Sequence, residues 1–333
     1  MDKKRAAFDI WKAIFQDDEA FMQLFFSTLY HDQNTLLVQN AAIGTANAHL
    51  QFLPYNLCVN DRLYRSYYVC GVATRPEMRS RGLAKQLLRA AHYQMWLNGA
   101  TFSFLIPQEN WLYEYYNRVA QYLPLGERAQ CLKVDEKSFS RSLTSDSYKR
   151  FLAFRQRALS VPYVVPDYLQ WRIALQTAVM SSGGYLFYTA QQMDALFERL
   201  GDSFIAPIPA TNREKNVYRC GMIRLINPIK LLIAYAKELM QDSWSFFLYD
   251  ESLPMNNGLY ILKGGMVRFF RPTIKDASKY SIPEAFQQEI IKEWNRISKK
   301  TPRPQIFTPE SLLLFLMGEK RFFFDQLMDG LSF

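Results

Sequence analysis

The sequence predicts a mixed α/β (α+β) fold, and three features predict it. Apolar residues recur at helical spacing from Ile10 to Leu29, and alternating aromatic and β-branched runs follow between residues 35 and 74. A glycine-bearing turn then joins the last of these runs to a leucine-rich helix. At 333 residues the chain exceeds what one compact core usually holds, so two or three units are expected. No apolar run approaches the ~20 residues needed to cross a bilayer, so no membrane partner is expected.

The first elements are two consecutive helices. Ile10, Trp11 and Ile14 share one helical face; Phe21, Phe25 and Leu29 share another, with a break near Asp17. Asp9, Lys12, Asp17 and Asp18 interrupt the apolar positions, so this is an amphipathic start and not a secretory leader. Strands are predicted at Thr35 to Val38, Gly44 to Phe52 and Leu63 to Thr74. The third contains the alternating run Tyr67, Tyr68, Val69, Cys70, Val72, and Pro76 lies beyond its end, where no N–H is needed for a ladder. A helix follows with Leu83, Leu87, Leu88, Ala91 and Met95 on one face and Lys85 and Arg89 away from it. A strand at Thr101 to Ile106 and a helix from about Asn110 complete this block.

Between strand and helix lies Arg79-Ser80-Arg81-Gly82-Leu83-Ala84. Gly82 removes a side chain where a ligand would approach the backbone, and the first N–H groups of the helix point outward. Such a turn is an anion site, and a pyrophosphate suits it. Arg75, Arg79, Arg81, Lys85 and Arg89 outnumber the single acid Glu77 here. The net charge of +9 agrees with a polyanionic co-substrate; the chain carries no nucleic-acid motif, and none is expected as a partner. Cys58, Cys70, Cys131 and Cys220 lack paired spacing, which fits a reducing, cytoplasmic setting. His31, His49 and His92 form no ligand spacing, so no metal is expected.

The segment from Val72 to Leu88 resembles motif A of the GNAT N-acetyltransferases, Q/R-x-x-G-x-G/A after a strand. The resemblance implies acetyl coenzyme A as co-substrate, its pyrophosphate on Arg79, Ser80, Arg81, Gly82, Leu83 and Ala84. It implies that the preceding strand, at Val72, Ala73 and Thr74, meets the pantetheine arm and the thioester. The GNAT unit is expected at residues 1–135, opening directly on a helix. A polar linker is expected from Asp135 to Ser147, and a shortened, mainly helical middle segment at 148–218. That segment holds helices at Tyr148 to Ala158 and Tyr168 to Val179, a strand at Gly184 to Ala190 and a helix at Met193 to Leu200.

From residue 219 to 333 the pattern changes. A short strand and apolar helix lead to two strands joined through Asn256-Asn257-Gly258, a third at Met266 to Phe270, and a helix capped by Thr308 and ended by Gly318. Asp250, Leu253, Asn257, Gly258 and Leu262 resemble the sterol carrier protein type 2 pattern. The three parts in order resemble the Eis (enhanced intracellular survival) acetyltransferases. That likeness implies transfer of acetyl to a primary amine by direct attack in a ternary complex, with a homo-oligomer possible. It implies a tyrosine general acid within Y-x-R-x-G; here Tyr116-Asn117-Arg118-Val119-Ala120 corresponds, with Ala120 in place of glycine and Tyr113 and Tyr115 as competitors. A phenol of pKa about 10 stays protonated at neutral pH beside a leaving thiol. The likeness also implies that the terminal carboxylate of Phe333 reaches the site. Direct proton transfer to it from an alkylammonium would be uphill by roughly 6 pKa units, about 8–9 kcal/mol, so a positioning and water-relay role is expected. The alternative is a non-catalytic lipid or small-ligand binding protein that uses its terminal domain.

Overall fold

The computed structural model describes residues 2–39, 45–129, 145–158, 161–173, 217–239, 242–271, 288, 292, 305–318 and 322–323. Two helices open the chain, α1 (Lys3–Phe15) and α2 (Glu19–Thr28). Asp2 and Asp18 cap them by accepting first-turn N–H bonds, so the break near Asp17 is a helix start dictated by a carboxylate.

The first sheet is built from β1 (Thr35–Gln39), β2 (Ala46–Val59), β3 (Arg62–Thr74), β4 (Phe102–Leu105), β5 (Leu123–Ala129), β6 (Tyr163–Val165), β7 (Val217–Leu225) and the short β12 (Phe322–Phe323). Their order is β1-β2-β3-β4-β7-β5-β12-β6, and β6 pairs again with Asn56–Cys58 of β2. Seven of these strands therefore close into a ring, with β1 outside it, which leaves few open edges.

Two departures from the sequence reading have clear causes. The second strand does not stop at Phe52: it runs through Pro54 to Val59. β1 flanks β2 as far as Gln51 and β6 takes over at Asn56, so Pro54 sits in the interval where its missing N–H costs no ladder bond on that side. The chain reverses at Asn60-Asp61, both with positive φ, the tight hairpin conformation that these side chains tolerate. The second departure concerns topology. Val217–Leu225, expected to open the third unit, pairs antiparallel with both β4 and β5. The sheet expected to end by residue 135 is thus completed by residues 217–225. Of the expected helix Tyr168 to Val179, residues 168–173 are helical; its remainder and the elements expected at 184–190 and 193–200 fall outside the described residues.

Helices α3 (Leu83–Leu97) and α4 (Asn110–Ala120) cover one face of this sheet, packing Leu87, Leu88, Ala91, Met95 and Tyr116 against Leu50, Phe52, Tyr67 and Val69. On the other face α1 and α2 pack Trp11, Phe21, Phe25 and Phe26 against Leu53, Tyr55, Tyr68 and Cys70. The alternation along β3, with Tyr67 and Val69 on one side and Tyr68 and Cys70 on the other, is what the period-2 pleat requires. Helix α5 (Ser145–Ala158) precedes β6.

Beyond β7, helix α6 (Ile229–Glu238) leads to a second sheet of order β10-β9-β8-β11. Its strands are β8 (Ser243–Leu248), β9 (Gly258–Lys263), β10 (Met266–Phe270) and β11 (Gln305–Phe307). Helix α7 (Pro309–Met317) starts at Thr308 in a capping box with Ser311 and ends at Gly318.

The two sheets meet at a buried polar junction. Arg224 of β7 donates to Asp250 Oδ1 at 2.7 Å, both side chains being fully excluded from solvent. Its other terminal nitrogen donates to Ala120 O at 2.7 Å and Gln121 Oε1 at 2.9 Å, where α4 ends. Asp250 also accepts from the backbone N–H of Ser252 and Leu253 and from Asn256 Nδ2. Losing Asp250 strands a buried guanidinium, so Asp250→Ala is expected to cost about 3–5 kcal/mol in urea unfolding. Glu251→Ala removes the exposed 2.7 Å pair with Arg89 and is expected to cost under about 1 kcal/mol.

Candidate functional site

The site begins where β3 and β4 part. They pair in parallel only at Ser66–Tyr68 with Phe102–Phe104. β3 continues to Thr74, whereas β4 stops at Leu105 and is followed by Pro107, which has no N–H to extend a ladder. The gap is a cleft of about 100 Å³ lined by Tyr68–Val72 on one strand and Leu105–Gln108 on the other. Trp11 and Phe15 of α1 line it from one layer, and Leu112 and Tyr116 of α4 from the opposite layer. The cleft therefore engages both layers that sandwich the sheet.

β3 is not regular beside this cleft. His49 pairs with Ala73 and Gln51 with Cys70, so Gly71 and Val72 face a single residue of β2: a bulge. Gly71 has φ +59, and a Cβ there would run into the Trp11 indole. The Gly71 carbonyl accepts from His49 Nδ1 at 2.7 Å. Trp11 is held in turn by its indole N–H, which donates to Asp17 Oδ2 at 2.7 Å.

From the bulge β3 runs into the basic turn. Gly82 is the residue before α3, with φ +74; no side chain caps the helix and its first turn contains no acid. Ser80 also adopts a left-handed conformation, and Arg79, Ser80, Arg81 and Gly82 are exposed. The open space around Gly82, the uncapped helix start and the surrounding cations fit a pyrophosphate. The basic residues divide their work. Arg75 Nε donates to Ala46 O and Arg89 pairs with Glu251, so these two hold the scaffold. Arg79 and Arg81 make one longer bond each, 3.3 Å to Thr74 O and to Glu77 O, and bend back over the turn.

The sequence-derived residues separate in space. Val72 and Tyr116 line the cleft; Ala73 is buried against α1, and Thr74 marks the strand end. Arg79 through Ala84 form the turn and helix start. Tyr113 and Tyr115 are absent from the lining, and Tyr115 stands edge-on against Tyr116. Phe333 lies outside the described residues. The sequence reading missed Trp11, Phe15, Cys70, Gly71 and His49. Only Gly71 carried a local signal, a lone glycine inside a strand pattern.

Burial sets the proton chemistry. It raises the Tyr116 phenol well above the ordinary tyrosine value, with Tyr115 and Tyr122 adding to the effect. It raises the Cys70 thiol as well. Both stay protonated near neutral pH. His49 is pushed down to about 4 by burial, and His92 well below its ordinary value by burial and the nearby Arg224 charge. His92 Nε2 lies 2.9 Å from the Tyr122 hydroxyl, which also contacts Ser103 Oγ at 2.6 Å.

Residues 2–119 match the family model described as an acetyltransferase (GNAT) domain, so this part of the chain carries such a domain and the chain is an acetyltransferase. No curated protein matches the sequence. Solved structures match over most of its length. A GCN5-related N-acetyltransferase from Kribbella flavida shares 15% identity over 96% of each chain, at a TM-score of 0.58. A probable N-acyltransferase from Enterococcus faecalis V583 shares 14% over 81% of this chain and 83% of its own, at 0.57. Eis1 from Mycobacterium abscessus shares 13% over the same proportions, at 0.54. At such identities the likeness is one of fold.

The buried histidines make the protein acid-sensitive. Both are neutral in the folded state, whereas the unfolded chain binds protons below pH 6.5. Stability is therefore full above pH 6.5 and falls as pH drops towards about 4, by roughly 3 kcal/mol from His49 alone. Urea midpoints between pH 7 and 4.5 are expected to follow that window, and His49→Asn is expected to flatten the slope.

Proposed function

We propose that this chain transfers acetyl from acetyl coenzyme A to a primary amine within a ternary complex, with Tyr116 as general acid. The observation that carries the proposal is the cleft, which puts the bulged segment of β3 and Tyr116 of α4 around one small space. Arg79 to Ala84 would hold the pyrophosphate at the helix start, and β3 from Val69 to Val72 would lie along the pantetheine arm. Bound there, acetyl coenzyme A supplies an activated acetyl thioester for attack by an amine.

The remaining work falls to the protein's own groups. Holding both reactants in one cleft removes much of the entropic barrier. The Val72 segment offers backbone N–H groups to charge developing on a carbonyl oxygen. Cys70 gauges how this environment treats sulfur: burial raises its thiol, so a thiolate is disfavoured in the same cleft. As the amine nitrogen bonds to the acetyl carbon, the C–S bond breaks. The leaving thiolate takes the proton that Tyr116 retains at neutral pH, and the proton shed by the nitrogen passes to solvent, from which Tyr116 is reprotonated.

Two variants test this. Gly82→Glu puts a carboxylate at the helix start, and calorimetric titration is expected to lose the binding of acetyl coenzyme A seen with the wild type. Tyr116→Phe keeps the ring and is expected to lower kcat by about 10²- to 10⁴-fold with coenzyme affinity unchanged. A wild type that binds no acetyl coenzyme A would sink the proposal. A smaller loss in Tyr116→Phe would move the acid elsewhere.

A further inference from the structure

We propose that His49 is a positioning residue that turns the Val72 N–H into the cleft by holding the Gly71 carbonyl, and so sets the oxyanion-binding geometry of the acetyl transfer. The inference rests on the acetyltransferase reading of the cleft.

One peptide unit sets the geometry. The Gly71 carbonyl and the Val72 N–H belong to the same planar group, and no peptide bond in the described chain is cis. The two groups therefore point in opposite directions. The Gly71 oxygen is directed at His49 Nδ1, 2.7 Å away. The Val72 N–H is then directed away from His49. Beyond Tyr68 β4 does not pair with β3, and the cleft lies there with Val72 in its wall.

The bond also fixes which tautomer His49 adopts. A carbonyl oxygen only accepts, so Nδ1 carries the proton. Nε2 is then the bare nitrogen, and the Gln51 amide nitrogen approaches it at 3.4 Å from the same strand. Gln51 and His49 are both fully buried, which leaves no water to replace either bond. The Trp11 indole packs edge-on against the imidazole, with centroids 6.0 Å apart, and closes over Gly71 where a Cβ would stand. Carbonyl, imidazole and indole thus over-determine a backbone conformation that a free strand would not keep, with Gly71 at φ +59 inside a ladder. The charged groups of this corner come from α1 and the link after it: Lys3 of α1 lies close enough to oppose a charge on His49, and Asp17, between α1 and α2, engages Trp11.

An N–H aimed at a carbonyl oxygen matters most when that oxygen gains charge, and small misplacement there costs up to about 10²-fold in rate. His49→Phe preserves ring packing and removes the donor. His49→Asn retains an N–H close to where Nδ1 stands. Affinities for coenzyme A and acetyl coenzyme A, with kcat, are measured for all three proteins. We expect coenzyme A affinity within about twofold of wild type in both variants, because the basic turn is untouched. In His49→Phe the preference for the acetylated coenzyme is expected to vanish and kcat to fall about 10- to 10²-fold. His49→Asn is expected to recover most of both. Equal losses in both variants, or unchanged kinetics in His49→Phe, would overturn the proposal.

A second measurement needs no coenzyme. Histidine-selective ¹⁵N spectra of the free protein at neutral pH are expected to show a His49 ring protonated at Nδ1 and bare at Nε2. The opposite tautomer would overturn the clamp even if the kinetics agreed. If the wild type binds neither coenzyme, the acetyltransferase reading fails and this spectrum alone decides whether the carbonyl is held.

Discussion

The buried bond between Arg224 and Asp250 is the constraint on which the rest of the architecture depends. An ion pair removed from water stabilises a fold only when its remaining donors and acceptors are satisfied. Here much of that requirement is met by backbone: the C-terminal carbonyl of α4 on one side, and the turn N–H groups of Ser252 and Leu253 on the other. Asn256 extends the junction, donating to Asp250 and to Ile226 O and accepting from the Trp96 indole of α3. One pair thus ties β7 to the end of α4 and ties both sheets to α3. Sliding α4 by a turn would leave the guanidinium without the Ala120 carbonyl. The placement of Tyr116, one turn before that carbonyl, follows from a polar junction outside the cleft.

The cleft itself is a consequence of strand lengths. β4 is four residues long and spends its far edge on β7, so β3 outruns it. A sheet core normally closes such a gap with side chains, and the alternating residues of β3 do fill both faces. The bulge interrupts the alternation at the one place where the neighbouring strand is missing. What remains is a narrow space walled by Val69, Leu105, Tyr116 and Trp11, and burial beside it keeps the Cys70 thiol and the Tyr116 phenol protonated.

Much of this was legible before the structure. The helix start near Asp17, the places of the strands up to Thr74, the Gly82 turn and the Thr308 cap are local signals, each written within a few residues. Long-range pairing left no such mark. Nothing near Val217 reveals that it enters the first sheet between Leu105 and Leu123, because a buried strand reads the same whichever neighbours it has. The second strand was read only to Phe52 for a similar reason: its far part pairs with β6, more than a hundred residues away. In the site, the basic turn was visible as a contiguous run, and Tyr116 through its resemblance. His49 and Trp11 were not, since their roles come from meeting Gly71 across β2 and α1. Asp250 and Asn257 were noticed as a pattern; the structure gives them a physical task, with the Asp250 N–H donating to Asn257 Oδ1 at 2.5 Å.

The two ends of the proposed site are held with different stringency, and the task proposed for each explains why. Anion binding draws on charge and on a helix start, and these tolerate displacement because electrostatic attraction falls off slowly over a Debye length of about 8 Å. Arg79 and Arg81 accordingly sit exposed, each with a single long bond to the backbone. Acyl transfer tolerates far less, because orbital alignment and a directed N–H fail over fractions of an ångström. That end is accordingly enclosed, with Gly71 fixed from two sides, Trp11 anchored to Asp17 and α4 locked by Arg224. Substituting an exposed arginine should therefore weaken capture while leaving the rate of the bound complex intact, whereas loosening any buried contact acts on the rate.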